Sequence, residues 1–502
     1  MRRVQRESCD TIIVSAGAGE RLDDCVQALK PGGLLLVYGP PHVLPRHGAC
    51  LSRQLVFKYW IALDIAHAPR PPAGGLQPTH RGLLMFWKPG DGAKFQLNNA
   101  TVRLPHAHCA ACGQTLRDWG GKKHLMNPRG TALSDVWRDL PRRPIHDHVV
   151  PEAVLARLRA LTERDGASFV QVVESWPCGR GIPAPTGTGR DRNVAPTGNV
   201  ILHSDCVTFL DSCPAGVFDL GFADPPYNLQ KLYSGYDDAR AEHEYLAWCD
   251  RWLAGLARAL KPGGSLFVLN LPKWALHHAV TLDRLLEFRH WIAWDALSEP
   301  RGKIMPAHYA LLYYTKPGGP PTFNQLPPPD APTYCLRAKC IQQRKAAGQD
   351  DKVDLSDVWF DIHRIRHKRD RDHHPCQLPE KLMERILALT TRPGDVVFDP
   401  FAGTGTTAVV AKRLGRHFVL TDCDPEYVRI TQERLANDQP RARVARPRAG
   451  PQKREVELYL QELARRLKRM PLETEITPVM LEKIDRLYPY RDAALKRCRI
   501  VL

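Results

Sequence analysis

The sequence predicts an α/β protein, a sheet with helices on both faces, laid down twice in one chain and followed by a small helical appendage. Three observations carry that expectation. Strand-like and helix-like stretches alternate from 199 to 440, the pattern of a sheet covered by helices. Residues 1–175 repeat the same order of features. Finally, Asp224-Pro225-Pro226-Tyr227 and Asp399-Pro400-Phe401-Ala402-Gly403-Thr404-Gly405-Thr406 each follow an apolar run, where a strand would end and the chain would turn.

The chain of 502 residues is 43% hydrophobic, enough for a large core and several domains. Its formal net charge of +17 favours a polyanionic partner, for which nucleic acid is the natural candidate. The plainer alternative is a host whose proteins are basic throughout. No run of 18 apolar residues is present and the start lacks a signal-peptide core, so a cytoplasmic protein without membrane contact is expected. In that compartment the 14 cysteines read as thiols or metal ligands.

The repeat is read from matched residues. Lys30-Pro31-Gly32-Gly33 corresponds to Lys261-Pro262-Gly263-Gly264, and Trp60-Ile61-Ala62 to Trp291-Ile292-Ala293, both 231 residues apart (261 − 30 and 291 − 60). His80 then pairs with His308, Ser134-Asp135-Val136-Trp137 with Ser356-Asp357-Val358-Trp359, and Pro151-Glu152 with Pro379-Glu380. The copies differ where chemistry is expected. Five residues after Asp10, as Asp224 lies five after Asp219, stands Ser15-Ala16-Gly17-Ala18, and the glycine loop is replaced by 172–177. The first copy, 1–175, therefore reads as a degenerate pseudo-domain, structural or nucleic-acid-binding.

Residues 176–198, rich in Gly, Pro and Thr, read as a linker. Cys109-Ala110-Ala111-Cys112-Gly113 has the form of a zinc knuckle, two thiolates on one tight turn. Two further ligands are needed. Cys335 and Cys340, in the equivalent region of the second copy, would complete an all-thiolate site if the copies pack about a twofold axis; His106, His108 and His124 are alternative partners, and unliganded thiols are the other reading.

In the second copy, 199–440, a strand at 199–203 ends near Asp205, and another leads into Asp224. A helix over 245–260, strands over 265–269, 291–296 and 310–315, a helix over 379–390, a strand over 395–398, a helix over 406–414 and a strand over 417–421 follow. Asp224-Pro225-Pro226-Tyr227-Asn228, His374-Pro375-Cys376-Gln377-Leu378-Pro379-Glu380 and Phe398-Asp399-Pro400-Phe401-Ala402-Gly403-Thr404-Gly405-Thr406 together resemble, in this order, the β class of DNA amino-methyltransferases that act on adenine N6 or cytosine N4. Cys376 and Leu378 depart from that family's pattern.

The resemblance implies a Rossmann-like methyltransferase sheet, S-adenosylmethionine as cofactor and double-stranded DNA as partner; structural zinc, read from the cysteines alone, would be an addition. It implies a site built from Asp224, Pro225, Pro226 and Tyr227 at the target base. The cofactor would lie on Asp399, Pro400, Phe401, Ala402, Gly403, Thr404, Gly405 and Thr406, with Asp422 for the ribose hydroxyls and looser parallels at Asp205 and Pro379. The chemistry needs such groups. An exocyclic amine is a poor nucleophile because its lone pair is conjugated into the ring, and two acceptors on its protons, the Asp224 carboxylate and the Pro225 carbonyl, would turn the lone pair toward the methyl group. Tyr227 would stack on a base that has left the duplex. Aspartate at the head of the tetrapeptide resembles the adenine enzymes more; cytosine N4, and a non-catalytic nucleic-acid-binding protein with a vestigial cofactor fold, are the alternatives.

The basic stretch 363–369 is a candidate phosphate-contacting loop. Residues 441–454 read as a basic tether and 455–502 as a small helical appendage. A separate restriction or defence protein is an open possibility for a partner, and the recognition sequence is not encoded in any motif.

Overall fold

A computed structural model describes residues 6–16, 22–67, 75–99, 102–116, 126–145, 149–162, 169–172, 199–229, 238–296, 303–335, 337–349, 351–364 and 378–436. All lie within one compact unit, 1–437. The linker at 176–198, His124, most of the basic stretch at 363–369, residues 374–377 of the family motif, the tether and the appendage fall outside the described residues.

The first half contains β1 (Cys9–Ser15), α1 (Leu22–Ala28), β2 (Leu29–Gly39), α2 (Leu44–Leu51), β3 (Val56–Asp64), β4 (His80–Trp87), short β5 (Arg103–Leu104), β6 (Thr131–Ala132) and β7 (Val136–Trp137), then α3 (Glu152–Thr162) and β8 (Phe169–Val172). The second contains β9 (Val200–His203), α4 (Cys206–Ser212), β10 (Phe218–Ala223), α5 (Glu242–Ala259), β11 (Leu260–Asn270), α6 (Pro272–Leu282), β12 (Glu287–Asp295), β13 (His308–Thr315), α7 (Ala338–Ala346) and β14 (Val358–Trp359). It closes with α8 (Glu380–Thr390), β15 (Val396–Asp399), α9 (Thr406–Arg413), β16 (His417–Asp422) and α10 (Pro425–Ala436).

The larger sheet runs β14-β12-β13-β11-β10-β15-β16-β9 and the smaller β7-β3-β4-β2-β1-β8. The six strands of the smaller sheet follow the order of the first six of the larger. Their pairings agree in sense too: β1 with β2 and β10 with β11 are parallel, while β4 and β13 are antiparallel to both neighbours. Lys30 bonds Asp10 at 2.7 Å and Lys261 bonds Asp219 at 2.7 Å, so the same ion pair marks the same place in each half. Among the described residues, nothing in the smaller sheet corresponds to β16 and β9.

The expected elements of the second half are present with shifted ends. The strand expected over 265–269 begins at Leu260, because the chain pairs with β10 at once and absorbs the Pro262-Gly263-Gly264 turn as a register shift. Gly263 has φ +80°, and a Cβ there would lie 2.5 Å from the Pro320 carbonyl oxygen, so glycine is required.

The halves meet through contacts that occur twice with the roles exchanged, as a twofold relation demands. Trp60 and Trp291 stack with ring centroids 3.7 Å apart. Asp357 accepts the backbone N–H groups of Thr79 and His80 (both 2.9 Å), and Asp135 accepts those of Ala307 (2.7 Å) and His308 (2.9 Å). The indole N–H of Trp60 points at His80 Nε2 (3.3 Å) and that of Trp291 at His308 Nε2 (3.2 Å). An indole only donates, so each Nε2 accepts, and each Nδ1 carries the proton given to the opposite tryptophan's carbonyl, at 3.0 Å and 3.3 Å. Burial accordingly lowers both imidazole pKa values, that of His308 to about 3. One continuous apolar core, holding Trp60, Leu84, Leu276 and Trp291, crosses this seam.

Candidate active site

In the larger sheet, β10 leads through α5 to β11 on one side, while β15 leads through α9 to β16 on the other. The chain thus departs in opposite directions from two adjacent parallel strands, the switch point where open α/β sheets bind ligands. Pairing of Gly221 with Phe398 brings the ends of both strands, Ala223 and Asp399, to one edge. The tetrapeptide and the glycine loop, 175 residues apart in sequence (399 − 224), therefore face each other across this crevice.

Asp224 is half-buried, and the Tyr227 hydroxyl donates to its Oδ1 at 2.6 Å. The sequence suggested only a stacking role for Tyr227; its ring centroid does lie 6.1 Å from Tyr309, which in turn lies 5.5 Å from Trp294. The turn is held from several sides. Tyr245 Oη donates to the Pro226 carbonyl (2.7 Å), and the Trp274 indole to the Tyr227 carbonyl (2.8 Å). Buried Asp238 accepts the N–H groups of Asn228 (2.8 Å) and Leu229 (3.0 Å), which lets Asn228 keep φ +52°. Asn270 in turn donates to Tyr245 Oη at 3.3 Å.

The glycine loop is organised by its own acids. Asp399, 3% exposed, accepts the Phe401 N–H (2.9 Å) and the Thr407 hydroxyl (2.5 Å). Burial raises its pKa to about 7 against these two donors. With these two bonds Asp399 braces the loop from within. Asp422 ends β16 as expected and accepts Gly403 N–H (2.8 Å) and Asp424 N–H (2.9 Å); burial raises its pKa to about 6. Pro400 accepts the Thr421 hydroxyl (3.1 Å), Ala402 donates its N–H to the Thr421 carbonyl (3.1 Å), and Phe401 packs edge-on against Trp248 and Trp252 of α5. Thr404 and Thr406 are buried beside Gly405, whose φ is +75°.

A Cβ on Gly405 would lie 2.3 Å from Thr431 Cγ2, so α10 closes directly onto the loop. Thr431 also donates to the Gly403 carbonyl (3.1 Å), and Arg434 bonds both the Thr404 carbonyl (2.5 Å) and Glu380 (3.3 Å). Pro379 is the N-cap residue of α8, immediately before that glutamate. Asp205 lies at the same sheet edge, but its Oδ1 caps α4 by accepting Val207 N–H and Thr208 N–H (both 3.0 Å). Through Oδ1 it is the N-cap of α4.

Cys109, Cys112, Cys335 and Cys340 come together as the twofold packing required, on other elements than this edge. The residues missed from sequence are Asp238, Tyr245, Asn270, Trp274, Thr431 and Arg434. All but Asp238 act across a long chain separation, and a polar residue inside an otherwise apolar strand, Asn270, was the one local signal available.

Among the described residues the first half has none of this apparatus. Register places Ser15 where Asp224 stands and Gln171 where Asp399 stands. The offset between halves grows from 209 at Asp10 (219 − 10) to 231 at Lys30 (261 − 30), so 22 residues are missing (231 − 209). They are missing from the stretch that in the second half carries Tyr227, Asp238 and Tyr245. Ser15 is buried, its hydroxyl unbonded among the described residues, and Ala16 N–H closes onto the Tyr38 carbonyl at 2.7 Å.

A helix N-terminus behind a glycine turn, an acid on the next strand and a rigid Asp-Pro-Pro-Tyr turn on the adjoining strand make this the Rossmann-like sheet of a methyltransferase. The family model described as DNA methylase, for N6 and N4 enzymes, matches residues 218–433. The chain belongs to that family: it is 34% identical over 245 residues to the DNA adenine methyltransferase YhdJ of Escherichia coli K12, covering 47% of this chain and 82% of that protein. It is also 39% identical over 245 residues to the type II methyltransferase M.BamHI of Bacillus amyloliquefaciens, again 47% of this chain but 57% of the relative, so the match spans little more than half of that protein's length. Among solved structures, the DNA modification methylase TTHA0409 of Thermus thermophilus, complexed with S-adenosyl-L-methionine, is 25% identical, with 49% of this chain and 96% of that one covered and a TM-score of 0.35. Among the described residues no helix is long and apolar enough to cross a membrane.

Proposed function

We propose that this protein is a DNA methyltransferase that moves a methyl group from S-adenosylmethionine to the exocyclic amine of a flipped-out base, adenine at N6. The observation that carries the reading is the meeting of the braced Asp224–Tyr227 turn and the glycine loop at one switch point. The loop fits the cofactor: its turn has space only for glycine at 405, the N-terminus of α9 favours a carboxylate, and half-buried Asp422 suits ribose hydroxyls.

S-adenosylmethionine supplies an electrophilic methyl group on sulfur. The chain's residues do the rest. Tyr227 fixes the plane of the Asp224 carboxylate, Tyr245 and Trp274 hold the backbone around Pro225, and the two acceptors on the amine's protons release its lone pair from the ring. Asp224 would take the proton that the amine loses on methylation. The rings of Tyr227 and Tyr309, the latter backed by buried Trp294, offer an aromatic wall for the extruded base. Adenine is supported by the aspartate at 224 and by the identity to the adenine enzyme of Escherichia coli.

In this reading the first half is a catalytically silent counterpart that braces the active one and widens a basic DNA-binding face. The partners are double-stranded DNA and a separate restriction protein, the methylated sequence being the one such a nuclease would spare. The test is expression in a methylation-free bacterial strain with single-molecule mapping of modified bases, and Asp224→Ala as control. N6-methyladenine at one recurring motif, absent from the control, is the expected result; N4-methylcytosine would keep the mechanism and overturn the base, and no mark would overturn the activity.

A further inference from the structure

We propose that Cys109, Cys112, Cys335 and Cys340 hold one structural Zn²⁺ that clasps the two halves of the chain together. The inference rests on sulfur geometry and is independent of methyl transfer. All four Sγ atoms lie within 4.8 Å of one another, with Cys109 to Cys340 and Cys112 to Cys335 both at 3.7 Å. Tetrahedral zinc with Zn–S bonds of about 2.3 Å sets its sulfurs about 3.8 Å apart. A disulfide would need about 2.05 Å, so the cysteines are not paired that way.

The surroundings are those of a metal site. Gly113, at φ +65°, closes the knuckle by donating its N–H to the Cys109 carbonyl at 2.9 Å, and the Cys335 N–H points at Cys109 Sγ at 3.4 Å. Such N–H···S bonds orient and tune thiolate ligands. Four thiolates on Zn²⁺ leave a net charge of −2, which a buried site must offset. Arg344, on the same helix as Cys340, is there to do so: its side chain is 2% exposed, it bonds Asp330 at 2.5 Å and lies 4.2 Å over the Tyr334 ring, and among the described residues its Nε makes no hydrogen bond. Burying a guanidinium in this corner is costly without a further anion, and the zinc thiolate cluster is that anion.

The site also explains why a helix as polar as α7 is held in place. Its buried side chains are Cys340 and Arg344 alone, so the apolar face that fixes most helices is missing. The knuckle comes from the first half and α7 from the second, and beside the sulfurs the Ala110 N–H donates to the Thr333 carbonyl (3.0 Å) and the Arg337 guanidinium to the Thr115 carbonyl (2.8 Å).

The test uses the full chain purified without chelator. Elemental analysis is expected to give about one zinc per chain, and zinc K-edge absorption a shell of four sulfurs at about 2.3 Å. Stripping the metal should lower the melting temperature, and Zn²⁺ alone should restore it. Cys112→Ser should lose stoichiometric zinc, while Cys50→Ser, an exposed cysteine elsewhere, should keep it. The absorption spectrum of the unaltered protein decides the matter even if Cys112→Ser does not fold. No stoichiometric metal before or after dialysis against Zn²⁺, nitrogen or oxygen ligands in place of sulfur, or iron in place of zinc, would overturn the proposal.

Discussion

The ends of β1 and β10 occupy the same place in two matching sheets, yet one closes on itself and the other opens a mouth. Ser15 is buried with an unbonded hydroxyl, whereas Asp224 is half-exposed and bonded to a tyrosine three residues on. The six shared strands differ little; among the described residues the first half lacks counterparts of β16 and β9, and it is shorter by the 22 residues that follow the strand. Sheet order alone therefore does not make a site. What does is an inserted stretch with enough side chains to hold a proline turn rigid.

The comparison can be broken most severely at Asp224. Asp224→Ala should lower methyl transfer by about 10²–10³-fold or more while cofactor affinity changes little, read by labelled methyl incorporation and by calorimetry. Equal loss of both would mean that the aspartate shapes the cofactor loop. Tyr245→Phe comes next. Freeing the Pro226 carbonyl should reduce kcat by about 10-fold at nearly constant cofactor affinity, because the turn, not the loop, loses its anchor; an unchanged kcat would show that Asp238 and Trp274 suffice.

A third test uses the pair Asp399 and Gln171, which share a register in the two halves. Burial holds the Asp399 pKa near about 7, above its unfolded value, so the folded protein keeps a proton that the unfolded chain has lost. Its contribution to stability falls as pH rises from about 4 to 7. Asp399→Asn, which makes the position neutral like Gln171, should remove that slope, so the variant's melting temperature should gain on the unaltered protein's by on the order of 2–4 °C between pH 5 and pH 8. Comparing the two proteins cancels the opposite slope from His80, His278 and His308, whose lowered values favour the folded state as pH rises. Smallest of all, Ser15→Ala should leave methyl transfer unchanged and stability within about 1 kcal/mol, since it removes a buried hydroxyl that bonds nothing. A large loss of activity would end the idea of a silent half.

Much of this was legible in advance because it is local. Apolar runs bounded by Pro and Gly located β10, β15 and β16, and matched tryptophans and glycines exposed the repeat. The four cysteines were legible only through the repeat, which told where the second pair would fall. Less local features escaped. Helix α7 has no apolar stripe to announce it, and α10 buries only Thr431. Asp205 has the residue type of a ligand-binding acid and of a helix cap alike, and its capping of α4 shows only in its bonds to Val207 and Thr208. Trp60 and Trp291 were matched to each other by offset, but that each would stack on its own counterpart follows from a symmetry axis no local pattern encodes.

A body that is twofold in its frame but has one mouth carries a kinetic consequence. Under the proposed activity, each docking event can modify only the strand that faces Asp224. A target present on both strands must then be released and met again in the reverse orientation. Duplex marked on one strand should therefore accumulate midway through the reaction, and a nuclease sharing the cell would have to treat such half-marked DNA as its own.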